Sequence, residues 1–325
     1  MIKTFLKSKA SKLKFAIGKS PVVEFSPDYT KFIPPPYKAV VVISADFELA
    51  WAWQWAKVKD PLRLANEKAM LSRENIPKIL NLCEEFQIPI TWLTVGHLFL
   101  EHCSNHDDLN TLNHFENDFW KFEKSDWFAN DPFSDYKTAP FWYAPDLIKK
   151  IISTSVKHEI GCHTFSHIDC RDNVCPSEVF NSEISACLKE AEKYDIPLKS
   201  FVHPAHTIGN LNNLAKFGFT NFRTNYNNVL GYPVKHPNGL WEFKQTVELL
   251  FRKEWSIRYH VKRYIEILKR AINSNTVAVL WFHPSFQTVV ADKILPELFT
   301  FLNKNKDVIW VTTHSEYINW LNSKQ

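Results

Sequence analysis

The sequence predicts a parallel α/β protein, in which a closed or distorted barrel explains the pattern better than an open sheet. Apolar, β-branched runs typical of strands buried on both faces alternate with stretches that carry apolar residues at helical spacing. About seven or eight such strand–helix units follow one another, which favours a parallel sheet. The length of 325 residues suits a single barrel, and a hydrophobic fraction of 45% is enough for a large core.

The run Ala39–Ala45 (AVVVISA) is the clearest buried strand, and Ser72 can cap a helix whose apolar residues recur up to Phe86. The same criteria, together with the turn residues between the runs, place the other elements. The predicted strands are 39–45, 88–95, 158–163, 199–203, 221–224, 240–244, 276–282 and 308–312. The predicted helices are 72–86, 145–154, 177–194, 212–217, 255–274, 291–303 and 315–321.

The chain divides into a basic N-terminal extension with a Pro-rich linker, residues 1–38, and a barrel domain, residues 39–325. Within the barrel, residues of about 101–144, here called the insert, break the strand–helix rhythm and are rich in polar and aromatic residues. A loop this long inside a compact domain is usually functional, so we expect its rings to stack on the substrate. The residues predicted to bind the substrate are Trp127, Trp142 and Tyr143 in the insert, and Pro204 and Trp281 near strand ends.

Composition excludes some classes of protein. The net charge of +4 and the pI of about 8.6 are mild, so nucleic acid is not an expected partner. The six cysteines lack a small-domain disulfide spacing and no secretory signal is evident, which predicts a cytoplasmic protein. No run approaches the roughly 18 apolar residues of a membrane-spanning helix. Residues 1–19 carry six lysines among apolar residues, which is typical of a solvated tail or of a weak peripheral membrane contact.

Acidic residues stand at the end of the first predicted strand. Asp46 and Glu48 are two residues apart, so on an extended chain both carboxylates point to the same side. Strand ends form the active face of a parallel barrel. Two carboxylates there are unfavourable unless they are solvated, paired or bound to a cation. A solvated strand exit is therefore the alternative to a metal site.

A histidine pair follows the third predicted strand. His163 and His167 lie within the segment HEIGCHTFSH (158–167), and a spacing of four suits one cation if a helical turn follows the strand. His102 and His106 in the insert have the same spacing. Because they follow no predicted strand, we expect them to lie elsewhere and to hold no metal.

His283 leaves the strand 276–282 and Pro284 turns the chain at once. A histidine at the active rim can act as a general acid or base near neutral pH; the alternative is a capped core histidine. The acidic pair, the histidine pair and this histidine together supply what metal-assisted hydrolysis requires: three ligands, a base and an acid. A rival structural zinc site would draw on Cys162, His163, His167, Cys170 and Cys175.

These segments, together with Leu280–Pro284 (LWFHP), resemble the NodB-homology polysaccharide deacetylases, carbohydrate esterase family four, over residues of about 39–321. The resemblance implies a distorted (β/α) barrel with about seven parallel strands. It also implies a divalent cation, usually zinc, and hydrolysis of acetyl groups on glycans. By this resemblance Asp46 is the base and His283 the general acid, and the metal ligands are Glu48, His163 and His167. The family's acidic residues are usually adjacent, so the roles of Asp46 and Glu48 could be exchanged.

The family usually has an arginine near a proline after its fourth strand, where it orients the base. The matching stretch here, Phe201–His206 (FVHPAH), has no arginine. We expect His206 or Arg223, at the end of the next predicted strand, to lie close to Asp46 and to replace it.

The function predicted from these residues is a metal-dependent hydrolase that removes an N-acetyl or other N-acyl group from an amino sugar of a glycan or glycan precursor. Carbohydrate is the expected partner, and the sequence does not indicate the oligomeric state. Two alternatives remain open: a deformylase or amidase that acts on another carbon–nitrogen bond, and a catalytically inactive barrel that binds glycan.

Overall fold

The computed structural model describes residues 20–112, 115–123 and 126–324. Within these ranges the chain forms fourteen strands and seven α-helices. The strands are β1 (Val22–Val23), β2 (Ala39–Phe47), β3 (Thr91–Thr94), β4 (Phe115–Glu116), β5 (Lys121–Phe122), β6 (Glu159–Cys162), β7 (Ser200–Val202), β8 (Asn221–Thr224), β9 (Val229–Leu230), β10 (Val234–Lys235), β11 (Trp241–Lys244), β12 (Val247–Glu248), β13 (Val277–Phe282) and β14 (Ile309–Thr312). The helices are α1 (Pro61–Phe86), α2 (Pro145–Ile152), α3 (Ser177–Glu192), α4 (Leu211–Lys216), α5 (Ile257–Ser274), α6 (Leu295–Lys304) and α7 (His314–Asn322).

Ten strands form one curled sheet in the order β10-β11-β8-β7-β6-β3-β2-β13-β12, with β14 paired to β2. Every pairing in this sheet is parallel except that of β10 with β11. The predicted distorted barrel is therefore confirmed. Among the described residues, no helix has both the length and the apolarity needed to cross a membrane.

Strand β2 pairs with three other strands of the sheet, and all nine of its residues are buried. Its first half pairs with β14, its second half pairs with β3, and β13 runs along its other edge. The β-branched run that predicted this strand therefore lies where apolar side chains are needed on both faces.

Helix α1 begins eleven residues before the predicted start at Ser72. Pro61 occupies its first turn, and the Asp60 side chain accepts a hydrogen bond from the Arg63 amide, which is a strong start signal. Ser72 is a buried interior residue whose hydroxyl donates to the Lys68 carbonyl. The earlier turns were missed because their exposed face is polar and hides the apolar periodicity.

Residues 20–38, which include the predicted Pro-rich linker, lie against the barrel. Ile33 is 1% exposed within a second apolar cluster, β1 pairs with β9, and the Tyr317 hydroxyl donates to the Phe32 carbonyl. The apolar side chains of this segment gain enough burial to fold it onto the barrel. Residues 1–19 lie outside the described residues, so the membrane contact and the cytoplasmic location stay predictions.

The insert is tightly packed. Strands β4 and β5 form a small antiparallel pair, and Trp120 bridges back to Ala56. Within the insert the Trp127 ring packs against Phe115, and it also contacts Trp55 outside the insert. The aromatic residues of the insert therefore serve mainly as its own core.

Replacing Gly161 of β6 by alanine is expected to destabilise the fold. The new Cβ would lie 2.7 Å from the Ser200 carbonyl oxygen and 2.9 Å from Leu93 Cδ1. Overpacking of this kind costs about 1–3 kcal/mol, which urea denaturation can measure. Asn273→Ala on the exposed face of α5 is the control and should change the free energy of unfolding by less than about 0.5 kcal/mol. An unchanged Gly161→Ala midpoint would contradict the close packing of β6 on β7.

Candidate active site

Polar side chains collect at the carboxyl ends of the parallel strands. Asp46 is the penultimate residue of β2 and Glu48 directly follows the strand. His163 follows β6, Arg223 lies on β8, and His283 follows β13. They surround or underlie one cavity of about 870 Å³. The strand-end positions predicted from the sequence therefore meet in space, as expected for the active face of a parallel barrel.

Glu48, His163 and His167 converge on one point. Glu48 Oε1 lies 3.1 Å from Nε2 of each histidine, and all three side chains are at most 5% exposed. Thr164 and His167 adopt positive φ angles of 58° and 64°. These angles fold the segment back after β6 and bring His167 beside His163.

These three residues fit a divalent cation. His163 Nδ1 donates to the Val202 carbonyl at 2.7 Å, so on the neutral ring Nε2 carries the lone pair that faces Glu48. Burial lowers the pKa of His167 to about 4, which keeps this ring neutral. Glu48 Oε2 is buried without a hydrogen-bond partner among the described residues. Two imidazole lone pairs and a carboxylate aimed at each other form a donor set typical of zinc.

Asp46 forms a buried ion pair with Arg223. Arg223 Nη2 lies 2.6 Å from Asp46 Oδ2, and Nη1 donates to the Ser44 hydroxyl at 2.7 Å. Burial raises the pKa of Asp46, but the charge of Arg223 outweighs it and holds that pKa below its usual value. The guanidinium also stacks on the Trp281 ring at 4.3 Å. Asp46 is therefore an ionised carboxylate in a fixed orientation.

His206, the other candidate for the arginine's role, has no contact of this kind with Asp46. Its ring packs edge-on against Trp281 with centroids 5.2 Å apart. Burial and the charge of Arg223 lower the pKa of His206 to about 3, so the ring is neutral. Of the two predicted replacements, Arg223 is thus the one that holds the carboxylate.

His283 lies between two carboxylates. Its Nε2 is 3.7 Å from Glu48 Oε1, and its Nδ1 is 3.6 Å from Glu248 Oε1. Burial acts to lower the pKa of His283, but Glu48 and Glu248 outweigh it and raise that pKa to about 9. His283 is therefore the positively charged imidazolium, protonated on both ring nitrogens, at neutral pH. Glu248 was missed from the sequence because the two-residue strand β12 carries no recognisable pattern.

Glu183 on α3 supports the histidine segment. Its carboxylate accepts from the Ser166 amide at 2.8 Å and from the Ser166 hydroxyl at 2.6 Å. Burial raises the pKa of Glu183 to about 7. This contact fixes the turn between His163 and His167. The sequence did not reveal the contact, because the spacing of residues in α3 does not show what Glu183 binds.

The aromatic residues predicted to bind substrate are core residues of the insert. Trp127 is 1% exposed and donates to the Ser166 hydroxyl, and the Trp142 and Tyr143 rings are also buried. None of the three lines the cavity, and neither does Pro204. Trp127, Trp142 and Tyr143 lie away from the cavity because the insert buries its large rings to form a core of its own. Trp281 does line the cavity, where it covers Arg223.

Other aromatic rings take the predicted place at the cavity. Phe119 and Tyr226 are 55% and 66% exposed at its rim, and Trp53 packs edge-on against His283. Large exposed rings are suited to stacking on sugar faces. Trp53 lies in the run Trp51–Trp55 (WAWQW), which fits neither the strand pattern nor the helix pattern used to predict the elements.

The rival zinc site is not formed. Among residues 20–112, 115–123 and 126–324, no metal-type cluster includes Cys162, Cys170 or Cys175. All six cysteines are free, and burial raises the pKa of Cys170 well above its usual value. His163 and His167 belong to the cavity instead.

Comparisons with known proteins agree with this architecture. No protein-family model matches the sequence, and no curated protein matches it either. Among solved structures, one assigned as a polysaccharide deacetylase from Mycobacterium smegmatis is similar with a TM-score of 0.62 and 13% identity, covering 94% of this chain and 95% of its own. Puue allantoinase gives 0.59 and 12%, covering 90% and 93%. A structure assigned as a polysaccharide deacetylase from Pseudomonas aeruginosa PAO1 gives 0.58 and 11%, covering 89% and 92%.

The chain therefore has the fold that these deacetylases and the allantoinase share, and the family resemblance read from the motifs is confirmed at the level of the fold.

Replacing Arg223 by methionine is expected to destabilise the protein by about 3–5 kcal/mol at neutral pH, because the Asp46 carboxylate stays buried without its partner. The ion pair holds the folded pKa of Asp46 low, so it contributes stability above the unfolded pKa of about 3.9 that is lost as pH falls. The difference from the wild type should therefore be largest at neutral pH and shrink as pH falls below about 4.

Urea denaturation at several pH values measures this difference. Arg63→Met removes an exposed arginine of α1 and serves as the control, with an expected change of less than about 1 kcal/mol. A loss of stability for Arg223→Met that is the same at pH ~7 and pH ~3 would show that the ion pair is not its source.

Proposed function

We propose that this protein is a metal-dependent hydrolase that removes an N-acetyl or other N-acyl group from an amino sugar of a glycan or glycan precursor. The observation that carries the proposal is the convergence of Glu48, His163 and His167 beside the Asp46–Arg223 pair in one cavity. The three candidate metal ligands, the candidate base Asp46 and the Arg223 guanidinium that orients it therefore lie together. Hydrolysis of an acyl group by a metal-activated water requires such an arrangement.

Glu48, His163 and His167 would hold the cation, and their two nitrogen donors and one carboxylate donor suit zinc. When bound, such an ion polarises an acyl carbonyl and lowers the pKa of a water molecule. The neutral state of His167 leaves its lone pair available for this purpose.

Asp46 acts as the general base in this proposal. Arg223 occupies Oδ2, whereas Oδ1 is buried without a hydrogen-bond partner among the described residues. Oδ1 is therefore the atom that accepts the proton as water attacks the acyl carbon. Arg223 fixes the rotamer of the carboxylate and keeps it ionised. This is the orienting role that the family resemblance assigns to an arginine near Pro204.

His283 acts as the general acid. Its proton is stabilised by Glu48 and Glu248, and the ring lines the cavity beside Trp53. Donating this proton to the leaving nitrogen allows the carbon–nitrogen bond to break and releases the amine. A cation held by Glu48 would offset that carboxylate's charge, so Glu248 becomes the main counter-charge of the acid.

A second candidate is hydrolysis of another carbon–nitrogen bond. The fold likeness to the allantoinase, with a TM-score of 0.59, is close to the 0.62 found for the deacetylase from Mycobacterium smegmatis. The exposed rings of Phe119 and Tyr226 at the rim favour a sugar over a small amide. The inactive-barrel alternative rested on the absence of an arginine from residues 201–206. The contact of Arg223 with Asp46 supplies such an arginine from β8 and so removes the reason for this alternative.

Loading the purified protein with zinc should allow acetate release from N-acetylated glucosamine oligosaccharides. Asp46→Asn should retain the metal and lose at least about 10²-fold in kcat, because the base is removed while the ligands remain. Glu48→Gln and His163→Ala should lose metal as well as activity. Metal content by mass spectrometry and acetate by a coupled assay are the two measurements.

Glu67→Gln, which removes an exposed carboxylate of α1, is the matched control and should leave both quantities unchanged. If Asp46→Asn lost the metal while Glu48→Gln kept it, the two roles would be exchanged. Metal binding without acetate release from any N-acetylated sugar would favour the second candidate.

Glu248→Gln should move the alkaline limb of the pH–rate profile to lower pH by about one unit. The general acid is active only while protonated, so activity falls as pH rises through the pKa of His283. Glu248 raises that pKa, and removing its charge lowers the pH at which the proton is lost. Glu266→Gln on the exposed face of α5 should leave the limb in place. A limb that does not respond to Glu248→Gln would assign it to another group.

A further inference from the structure

We propose that His97, Cys103, His106 and Asp131 form a second metal site, separate from the cavity, with a donor set suited to zinc. His97 lies in the short 3-10 helix Gly96–Phe99 that follows β3, and the other three residues belong to the insert. The four ligand atoms all lie within 4.8 Å of one another. None of the four residues lines the cavity.

The distances are those of a compact cluster. Asp131 Oδ2 lies 3.0 Å from His97 Nε2 and 2.6 Å from His106 Nε2, and Cys103 Sγ lies 3.6 Å from His106 Nε2. Neighbouring ligands of a tetrahedral zinc ion are about 3.3–3.8 Å apart, from zinc–nitrogen distances near 2.0 Å and a zinc–sulfur distance near 2.3 Å. The His106–Asp131 pair must therefore open by several tenths of an ångström, and the other two distances change less.

The orientation of His97 points to a cation. Its Nδ1 lies 3.1 Å from the Trp142 carbonyl oxygen, an acceptor, so Nδ1 carries the hydrogen. On the neutral ring Nε2 then presents a lone pair to the Asp131 carboxylate, and two acceptors facing each other repel. His97 is 0% exposed, and Nε2 is buried without a hydrogen-bond partner among the described residues. Either a second proton or a metal ion must lie between these two atoms.

The groups around the cluster hold its ligands in place. The Tyr143 hydroxyl donates to Asp131 Oδ1 at 2.9 Å and itself accepts from the Ser134 amide. The Trp142 carbonyl fixes the ring of His97. Outer hydrogen bonds to the second atom of each ligand are typical of protein zinc sites. Trp142 and Tyr143, which do not reach the cavity, thus have a role in this cluster.

The donor set favours zinc over calcium or magnesium. Two imidazoles, one thiolate and one carboxylate are the ligands of a borderline-soft cation, whereas calcium and magnesium take oxygen donors. Four protein ligands leave no open position, which is typical of a structural rather than a catalytic site. Binding replaces the Cys103 thiol proton, which passes to solvent, so no oxidant or other reactant is required.

The site would fasten the insert to the end of β3. His97 lies directly after the barrel strand β3, whereas Cys103 and His106 lie near the start of the insert and Asp131 lies in its second half. The insert supplies Phe119 and Trp120 to the cavity wall. A metal at this cluster therefore stabilises one wall of the candidate active site without touching the substrate. His106, expected from the sequence to hold no metal, is a ligand in this proposal.

Cobalt substitution tests the proposal with the full-length protein. Co²⁺ bound by Cys103 gives a thiolate-to-metal charge-transfer band in the near ultraviolet, which the nitrogen and oxygen ligands of the cavity cannot give. We expect the wild type to bind two equivalents of metal and to show this band. Cys103→Ser should abolish the band and lower the content by one equivalent, and His163→Ala should keep the band.

His102→Ala is the matched control, because His102 is the exposed neighbour of Cys103 and lies outside the cluster. It should keep both the band and the metal content. Cobalt binding by the wild type without this band would overturn the proposal. A second proton on His97, rather than a metal ion, would then lie between Nε2 and Asp131. This measurement uses the wild type alone, so it does not depend on whether a variant folds. One equivalent of metal with the band present would support this site while removing the one in the cavity, so the two proposals fail separately.

Discussion

The position of β2 constrains the rest of the structure. Every one of its residues is buried, and it shares hydrogen bonds with β3, β13 and β14. A strand enclosed in this way must be apolar along its length, yet it delivers Asp46 and Glu48 at its end. Carboxylates at such a depth have to be balanced by nearby cations or hydrogen-bond donors. The chemistry of the cavity is therefore also a requirement of the fold.

The balance is provided by strands on both sides of β2. Arg223 arrives from β8 and His283 from β13, while His163 and His167 follow β6. Each of these groups lies within hydrogen-bond or ion-pair distance of one of the two carboxylates. Four segments that are far apart in the sequence thus depend on one another electrostatically. A change at any one of them alters the charge state of its neighbours as well as its own contact.

The barrel and the residues at its strand ends could be predicted because they obey local rules. Buried parallel strands are continuous apolar runs, and polar residues directly after them, such as Asp46, His163 and His283, stand out against that background. Arg223 was identified as a candidate because it ends a strand, although the choice between it and His206 needed the three-dimensional contact.

Features that depend on long-range packing could not be predicted in the same way. Trp127 and Tyr143 have the composition of a binding loop but form the interior of the insert, and only the folded chain shows which rings stay exposed. His97 and Asp131 are separated by more than thirty residues from one another in the sequence, without a motif spacing. The start of α1 at Pro61 and the burial of Ile33 also depend on partners that are remote in the chain.

The attachment of residues 20–38 to the barrel has a consequence for the cavity. Ser20 and Val22 line the cavity, and β1 of the same segment pairs with β9. Ile33 lies outside the cavity but is buried in the second apolar cluster. A substitution that loosens the packing of Ile33 would therefore disturb the cavity wall from a distance.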